Sequence, residues 1–374
     1  MTLWLVQLQP LTERYTEQWA RWLPAGFKKA GFDVQVIDGN PLTTTIEKGA
    51  FLDINGAHYY TFTQLQKITK LFYEDKIKGD DIFFFADIEF PGHIEAVRYM
   101  AELQNIPVKI YGFLHACSIT KEDVVEKLAP WLKYYELAWI KVCDGVFVGS
   151  QFFKDRLIEE RIKPFAPKNE QMELSEKIIV TGNPWNASEV LGMVNPLPKK
   201  ENIVIFPHRW DFDKRPNIFL NLTYYYKKRF PDWKFIVTTS RPHFRSTSPW
   251  LEELALKAVE DGVIEIKDGL TKTEYYEWMA KAKIMVSTTV FESWGYITTE
   301  AITFGTYPLV PNNFSYQTIM SKENLYSDYD ELFDKLGKLM KEDNCTPYRN
   351  DWYMKYAESA LDSMAIHMGG GKEW

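Results

Sequence analysis

The chain has 374 residues, room for two domains of ordinary size, each with its own core. Its composition, 45% hydrophobic and 25% charged, excludes a disordered or fibrous protein, and its formal charge of −7 excludes a globally basic nucleic-acid coat, although a local basic groove would be hidden in that total. Cys117, Cys143 and Cys345 are scattered with no CxxC pair, which argues against a zinc centre or disulfide framework and for a reducing, intracellular setting.

The N-terminal MTLWLVQLQP is too short an apolar run to span a membrane and lacks a basic leader, so it reads as the first strand of a cytoplasmic protein. Apolar runs at 2–8, 33–37, 81–86, 108–113, 145–149 and 177–182 read as buried strands, with helical patterns at 93–105 and 121–140 between them. The stretch 186–200 is polar and proline-bearing and reads as a linker. Strand-like runs then resume at 202–207, 234–239, 263–268, 283–288 and 307–311, followed by helical sequence and a GGGKEW tail. This repetition predicts an α/β fold of two facing Rossmann-like domains, 1–185 and 201–345, with a C-terminal helical segment at 346–374. Ligands of such sheets bind at the carboxyl ends of the strands.

Two strand-end segments carry charge suited to chemistry. In FPHRWDFDKRP, Arg209 and Lys214 follow a strand directly and could grip an anion, the first as a fork and the second as a point charge. The competing reading is a solvated loop whose charges pair with Asp211 and Asp213. In VFESWGYITTEAITFGTYPLVPN, a helix starting near Gly295 would aim its free amides at a phosphate. Glu292 then precedes that helix and Glu300 lies about two turns on, so the two carboxylates serve different hydroxyls, unless both are ordinary helix charges.

Taken in order, PHRWDFDK, DGLTKTEYYEWMAKAKIMVST and FESWGYITTEAITFGTYPLVP resemble the retaining GT-B glycosyltransferases that use nucleotide-sugar donors, and most nearly the tRNA-queuosine mannosyltransferase-like family. The resemblance covers roughly residues 202–320. It implies that Arg209 and Lys214 bind the donor diphosphate, that Glu292 holds sugar hydroxyls and that Glu300 holds the ribose. It implies further that amides around Trp294, Gly295 and Tyr296 complete the phosphate site, and that Leu270 and Thr271 flank the base. In GFLHACS, His115 matches the position where related enzymes place a histidine beside donor sugar and acceptor; a structural histidine is the alternative. Ser150 reads as a helix N-cap.

The chain departs from the family in the first domain. QLQPLTERYTEQW replaces the usual glycine-rich loop, and ADIEFPGHIEA has no counterpart. Asp87, Glu89 and His93 cluster there as acceptor-binding candidates. Their Asp-x-Glu pattern leaves a metal open, but the family holds its diphosphate with Arg, Lys and helix amides, so no metal or other cofactor is expected beyond the UDP- or GDP-sugar co-substrate. The resemblance implies retention of configuration at the sugar, and a modified nucleobase as acceptor: queuosine in tRNA or a hydroxymethylated base in DNA, as virus-encoded enzymes modify in the host cytoplasm. Lys163 and Lys168, with Arg241, His243 and Arg245, are candidate nucleic-acid patches or plain solvated surface. A small-molecule or lipid-linked glycan acceptor, a nucleotide-sugar epimerase and a non-catalytic nucleotide-binding protein are the other readings.

Overall fold

The computed structural model describes residues 1–12, 14–43, 53–121, 125–239, 246, 248–342 and 347–370; Arg241, His243, Arg245 and Cys345 lie outside that set. The chain forms two compact units. The described residues up to Trp185, with those from Tyr356 onward, make the first, and Asn186–Lys355 makes the second.

In the first unit six strands, β1 (Thr2–Val6), β2 (Asp33–Ile37), β3 (Ile82–Phe85), β4 (Lys109–Phe113), β5 (Gly145–Val148) and β6 (Ile178–Val180), form one parallel sheet in the order β2-β1-β3-β4-β5-β6. IFFF of β3 and GVFV of β5 are buried along their whole length, as a sheet covered on both faces requires. Its helices are α1 (Tyr15–Lys29), α2 (Ile54–Tyr73), α3 (Ile94–Leu103), α4 (Ala129–Val142), α5 (Gln151–Leu157), α6 (Lys163–Phe165) and α7 (Gln171–Glu176), with a π turn, Ile158–Ile162, between α5 and α6. The helix expected over 121–140 begins later, at Ala129, after a 3-10 turn at Glu126–Leu128; Pro130 fits the first turn, where its missing N–H costs nothing. Ser150 caps α5, its hydroxyl accepting from the Phe153 amide at 3.3 Å.

The second unit opens with α8 (Ala187–Gly192), a helix inside the stretch expected as linker, capped by Asn186, whose side-chain oxygen accepts from the Glu189 amide at 3.1 Å. Its strands are β7 (Glu201–Phe206), β8 (Lys234–Thr239), β9 (Glu265–Asp268), β10 (Ala282–Val286), β11 (Tyr307–Pro311) and β12 (Leu325–Tyr326), parallel in the order β12-β11-β10-β7-β8-β9. Around them lie α9 (Pro216–Lys227), α10 (Pro249–Glu260), α11 (Lys272–Lys281), α12 (Tyr296–Thr303), α13 (Tyr316–Ile319) and α14 (Tyr329–Lys341). Phe206, Trp210, Phe219, Phe235, Leu309 and Leu336 anchor its core, each contributing about 1.5–3 kcal/mol by burial.

The C-terminal stretch, expected as one segment, divides between the units. The boundary falls inside α15 (Asp351–Glu358), and α16 (Ala360–His367) packs on α1 of the first unit. Gly26 makes room there, since a Cβ at that position would lie 2.9 Å from Leu361 Cδ1. Among the described residues no helix is long and apolar enough to cross a membrane.

Both strand orders reverse direction once, between β1 and β3 in the first sheet and between β10 and β7 in the second. At such a reversal the following helices diverge to opposite faces and leave a crevice at the strands' carboxyl ends.

Candidate active site

The reversal in the second sheet brings the two strand-end segments together. The loop after β7 carries Arg209 and Lys214, and the loop after β10 carries Glu292 and Gly295. The two loops are stitched by their backbones: Val290 N donates to Asp213 O at 2.9 Å, and the Thr288 hydroxyl donates to Lys214 O. Between them Asp213 gathers the cations. Arg209 Nη2 donates to its carboxylate at 2.7 Å, and Lys214 Nζ lies 3.2 Å from the same oxygen. Lys214 also reaches Thr289 Oγ1 at 3.1 Å and Glu292 Oε2 at 3.5 Å.

The charges of Arg209 thus do pair with Asp213, but within a recess and not on a solvated loop: Arg209 is only 17% exposed. Burial alone would raise the Asp213 carboxyl, yet Lys214 and Arg209 outweigh it and hold the group below the usual carboxylate range. Burial would likewise depress Lys214, but Glu292 and Asp213 keep it above its ordinary value. Lys214 therefore stays protonated at neutral pH, with Asp213 and Glu292 as its counter-charges. Behind it, His208 Nε2 meets Ser287 Oγ at 2.8 Å and is kept neutral by burial and then by Lys214.

The helix expected near Gly295 is α12. Gly295 is its N-cap residue at φ +87°, and a Cβ there would stand 2.7 Å from Tyr316 Oη and 3.1 Å from Glu292 Cγ. Tyr296 begins the helix, so its amide lies in the first turn, at the positive end of the helix. Trp294 turns inward, buried, and stacks on Tyr353 with ring centres 5.5 Å apart.

Glu300 is 4% exposed and already engaged: Lys272 Nζ donates to Oε1 at 2.8 Å and the Tyr275 hydroxyl to Oε2 at 2.6 Å, with Tyr276 Oη at 3.4 Å from Oε1. Lys272 and Tyr275 escaped the sequence reading, because only folding brings α11 beside α12. Thr271 caps α11 in a reciprocal capping box with Glu274, so its side chain serves the helix while the loop at Leu270 adjoins the Glu300 cluster.

In the first unit the reversal places Tyr15, after β1, near Asp87, after β3, with His115, after β4, alongside. Tyr15 and His115 rings lie 5.6 Å apart, and Trp19 and Phe113 pack on the imidazole at 4.7 Å. His115 Nε2 donates to Ala86 O at 2.9 Å, the only orientation a carbonyl allows, which leaves Nδ1 as an acceptor. Burial pulls the imidazole down to about 4, so it is neutral at physiological pH. Asp87 accepts from the Glu89 amide at 3.0 Å, and burial pushes its carboxyl up to about 7. His93 is not brought to that surface with Asp87 and Glu89: it is buried edge-on against Phe85 at 4.9 Å, and burial lowers it to about 3. Among the described residues no group of three or more His, Cys, Asp or Glu stands together as a metal site.

The two parallel α/β units, each with its crevice at a strand-order reversal, define the GT-B glycosyltransferase fold. The lipopolysaccharide outer-core galactosyltransferase WaaB superposes with a TM-score of 0.62 at 12% identity, over 99% of each chain. Sucrose-phosphate synthase from Thermosynechococcus elongatus gives 0.61 at 13% identity over 99% of this chain and 94% of that one, and the pneumococcal O-GlcNAc transferase GtfA, in complex with UDP and GlcNAc, gives 0.56 at 14% identity over 82% and 60%. In sequence the chain is similar to a particular curated protein, the tRNA-queuosine alpha-mannosyltransferase of Drosophila melanogaster, with 31% identity over 137 residues. That match takes in 36% of this chain and spans about a third, 34%, of the relative's length. No family model matches the chain.

Proposed function

We propose that the protein is a retaining glycosyltransferase that moves a hexose from a UDP- or GDP-sugar to a hydroxyl on a modified nucleobase, queuosine in tRNA or a hydroxymethylated base in DNA. The observation that carries the transfer reading is the convergence of Arg209 and Lys214 with Glu292 and the glycine-capped start of α12 at the β7/β10 reversal. The nucleobase reading is supported by the similarity to a mannosyltransferase of tRNA queuosine.

On this reading the donor diphosphate takes the place of Asp213 as the partner of Arg209 and Lys214, with amides of the first turn of α12 completing its cradle. Glu292, beside Lys214, holds sugar hydroxyls, and Glu300 offers its remaining lone pairs to the ribose. In the transfer step the bond from the sugar's anomeric carbon to the diphosphate oxygen breaks and a bond to the acceptor oxygen forms on the same face. The acceptor proton passes to the departing phosphate oxygen, whose growing charge Arg209, Lys214 and the helix start stabilise without reorganising. In the first unit Asp87, Glu89 and the free Nδ1 of His115 are the groups that accept hydrogen bonds from the acceptor. No cofactor is invoked, and the setting proposed is the cytoplasm.

The test is nucleotide binding and transfer. UDP, GDP and their sugars are titrated by calorimetry, then hydroxymethylated DNA and tRNA are incubated with the tightest donor and weighed by mass spectrometry. Arg209→Ala is expected to lower turnover by at least about a hundredfold. Near-normal turnover by that variant sinks the assignment, and no mass gain on either nucleic acid removes the nucleobase acceptor.

A further inference from the structure

One side of α4 is exposed and aromatic. Trp131, Tyr134 and Tyr135, at helical spacings of three and four, are 46%, 58% and 41% exposed, while Leu132, Glu136, Leu137, Trp139 and Ile140 turn inward. The rings are ordered against one another. Trp131 meets Tyr135 edge-on at 5.8 Å, Tyr134 meets Phe165 of α6 at 5.7 Å, and Lys133 Nζ lies 5.2 and 5.1 Å from the last two ring centres. Beyond Phe165 the surface continues into an open groove of about 370 Å³ lined by Lys154, Lys163 and Met172.

The topology places this face at the ligand end of the unit. α4 leads from the end of β4 back to the start of β5, so its first half stands at the carboxyl ends of the strands, with His115 and Asp87. It is also bonded to the His115 loop. Glu136, next along from Tyr135, accepts from the Ser118 amide at 2.6 Å and pairs with Arg161 of the π turn, and Arg161 Nη2 donates to Ser118 Oγ at 3.0 Å. Glu136 and Arg161 are both buried, so one buried network ties the strip, the π turn and the loop together.

We propose that this face docks the single-stranded nucleic acid that carries the acceptor base, with neighbouring bases stacked on Trp131 and Tyr134. The proposal rests on the nucleobase-acceptor reading above. Every base has a flat face, so stacking on rings tolerates any sequence, and lysines beside the rings answer the phosphates. Lys127, Lys133, Lys154 and Lys163 supply that charge, of which Lys163 is shared with Glu159, Glu126 adjoins Lys127 and Glu176 lines the groove, so Lys133 beside the rings is its centre. In a chain of net charge −7 this complementarity has to be local. On α4 itself no exposed Leu, Ile or Val flanks the rings among the described residues, while Phe165 and Met172 adjoin them, so a bilayer is the alternative occupant that the vesicle measurement below separates.

Fluorescence anisotropy with a labelled single strand of about 15 nucleotides and with tRNA tests it, alongside calorimetry with UDP and GDP on the same samples. The wild-type chain is expected to bind both nucleic acids, more weakly as salt rises. The Trp131→Ala/Tyr134→Ala double variant should bind at least about tenfold more weakly, with its melting temperature and nucleotide affinity unchanged. Lys133→Glu should weaken binding and flatten the salt dependence. Equal binding by the double variant overturns the proposal, as does no wild-type binding at low salt. Loss of binding to phosphatidylserine vesicles with oligonucleotide binding intact overturns it in favour of a membrane. If nucleotides fail to bind while the double variant still loses oligonucleotide affinity, the glycosyl-transfer reading falls and the docking surface stands.

Discussion

At Gly295 the backbone angle and the space around it agree on one residue type. The left-handed φ of +87° costs an L-residue about 1–2 kcal/mol, and a Cβ would stand only 2.7 Å from Tyr316 Oη. Gly295→Ala is therefore expected to lower the melting temperature and also to weaken nucleoside-diphosphate binding, since relief of the clash displaces Glu292 or the first turn of α12; scanning calorimetry and titration read the two effects separately. Asp87 gives a pH dependence. Its carboxyl is raised from 3.8 to about 7 by burial, so between those values the folded chain holds a proton that the unfolded chain releases. Its contribution to stability is unpenalised at pH 4, falls as pH rises through that window, and is lowest above 7. Asp87→Asn should then melt like wild type near pH 4 and be more stable by about 1–3 kcal/mol at pH 8, as thermal unfolding across that range would show.

Between elements, the buried pair of Glu136 and Arg161 joins α4 to the π turn. Removing one partner leaves a charge stranded, so Arg161→Met should cost about 3–5 kcal/mol, while Arg161→Met combined with Glu136→Leu should regain most of it in denaturant unfolding. Most strands were legible in the sequence because a parallel sheet covered on both faces needs unbroken apolar runs, and IFFF or NIVIF can be little else. α2 was not, since INGAHYYTFTQLQKITKLFY is rich in β-branched and aromatic residues that weaken a helical pattern until tertiary packing supplies the stability. β12 is only two residues long, below what periodicity can register. Within the site the same division holds. Arg209, Asp213 and Lys214 stand within one short segment and their pairing could be foreseen, whereas the hold of Lys272 and Tyr275 on Glu300 spans more than twenty residues and depends on how α11 lies beside α12.

In the whole molecule, the described residues of the second unit all fall within Asn186–Lys355, while the first unit is completed only by residues from Tyr356 onward. Truncation after Lys355 should thus weaken the first unit selectively. Amide exchange in α1 is expected to quicken and that in β7 and β8 to stay as it was; equal loss of protection in both units would contradict the division. The place where α16 meets α1 also sets an order of events during synthesis. At a ribosomal rate of about 5–20 residues per second, roughly 9–36 s pass between emergence of the last strand of the first unit and of the helix that covers Gly26. Throughout that interval, while the second unit is still being made, the first unit stays unsealed at Gly26, so the groove there is where a chaperone would find its hold.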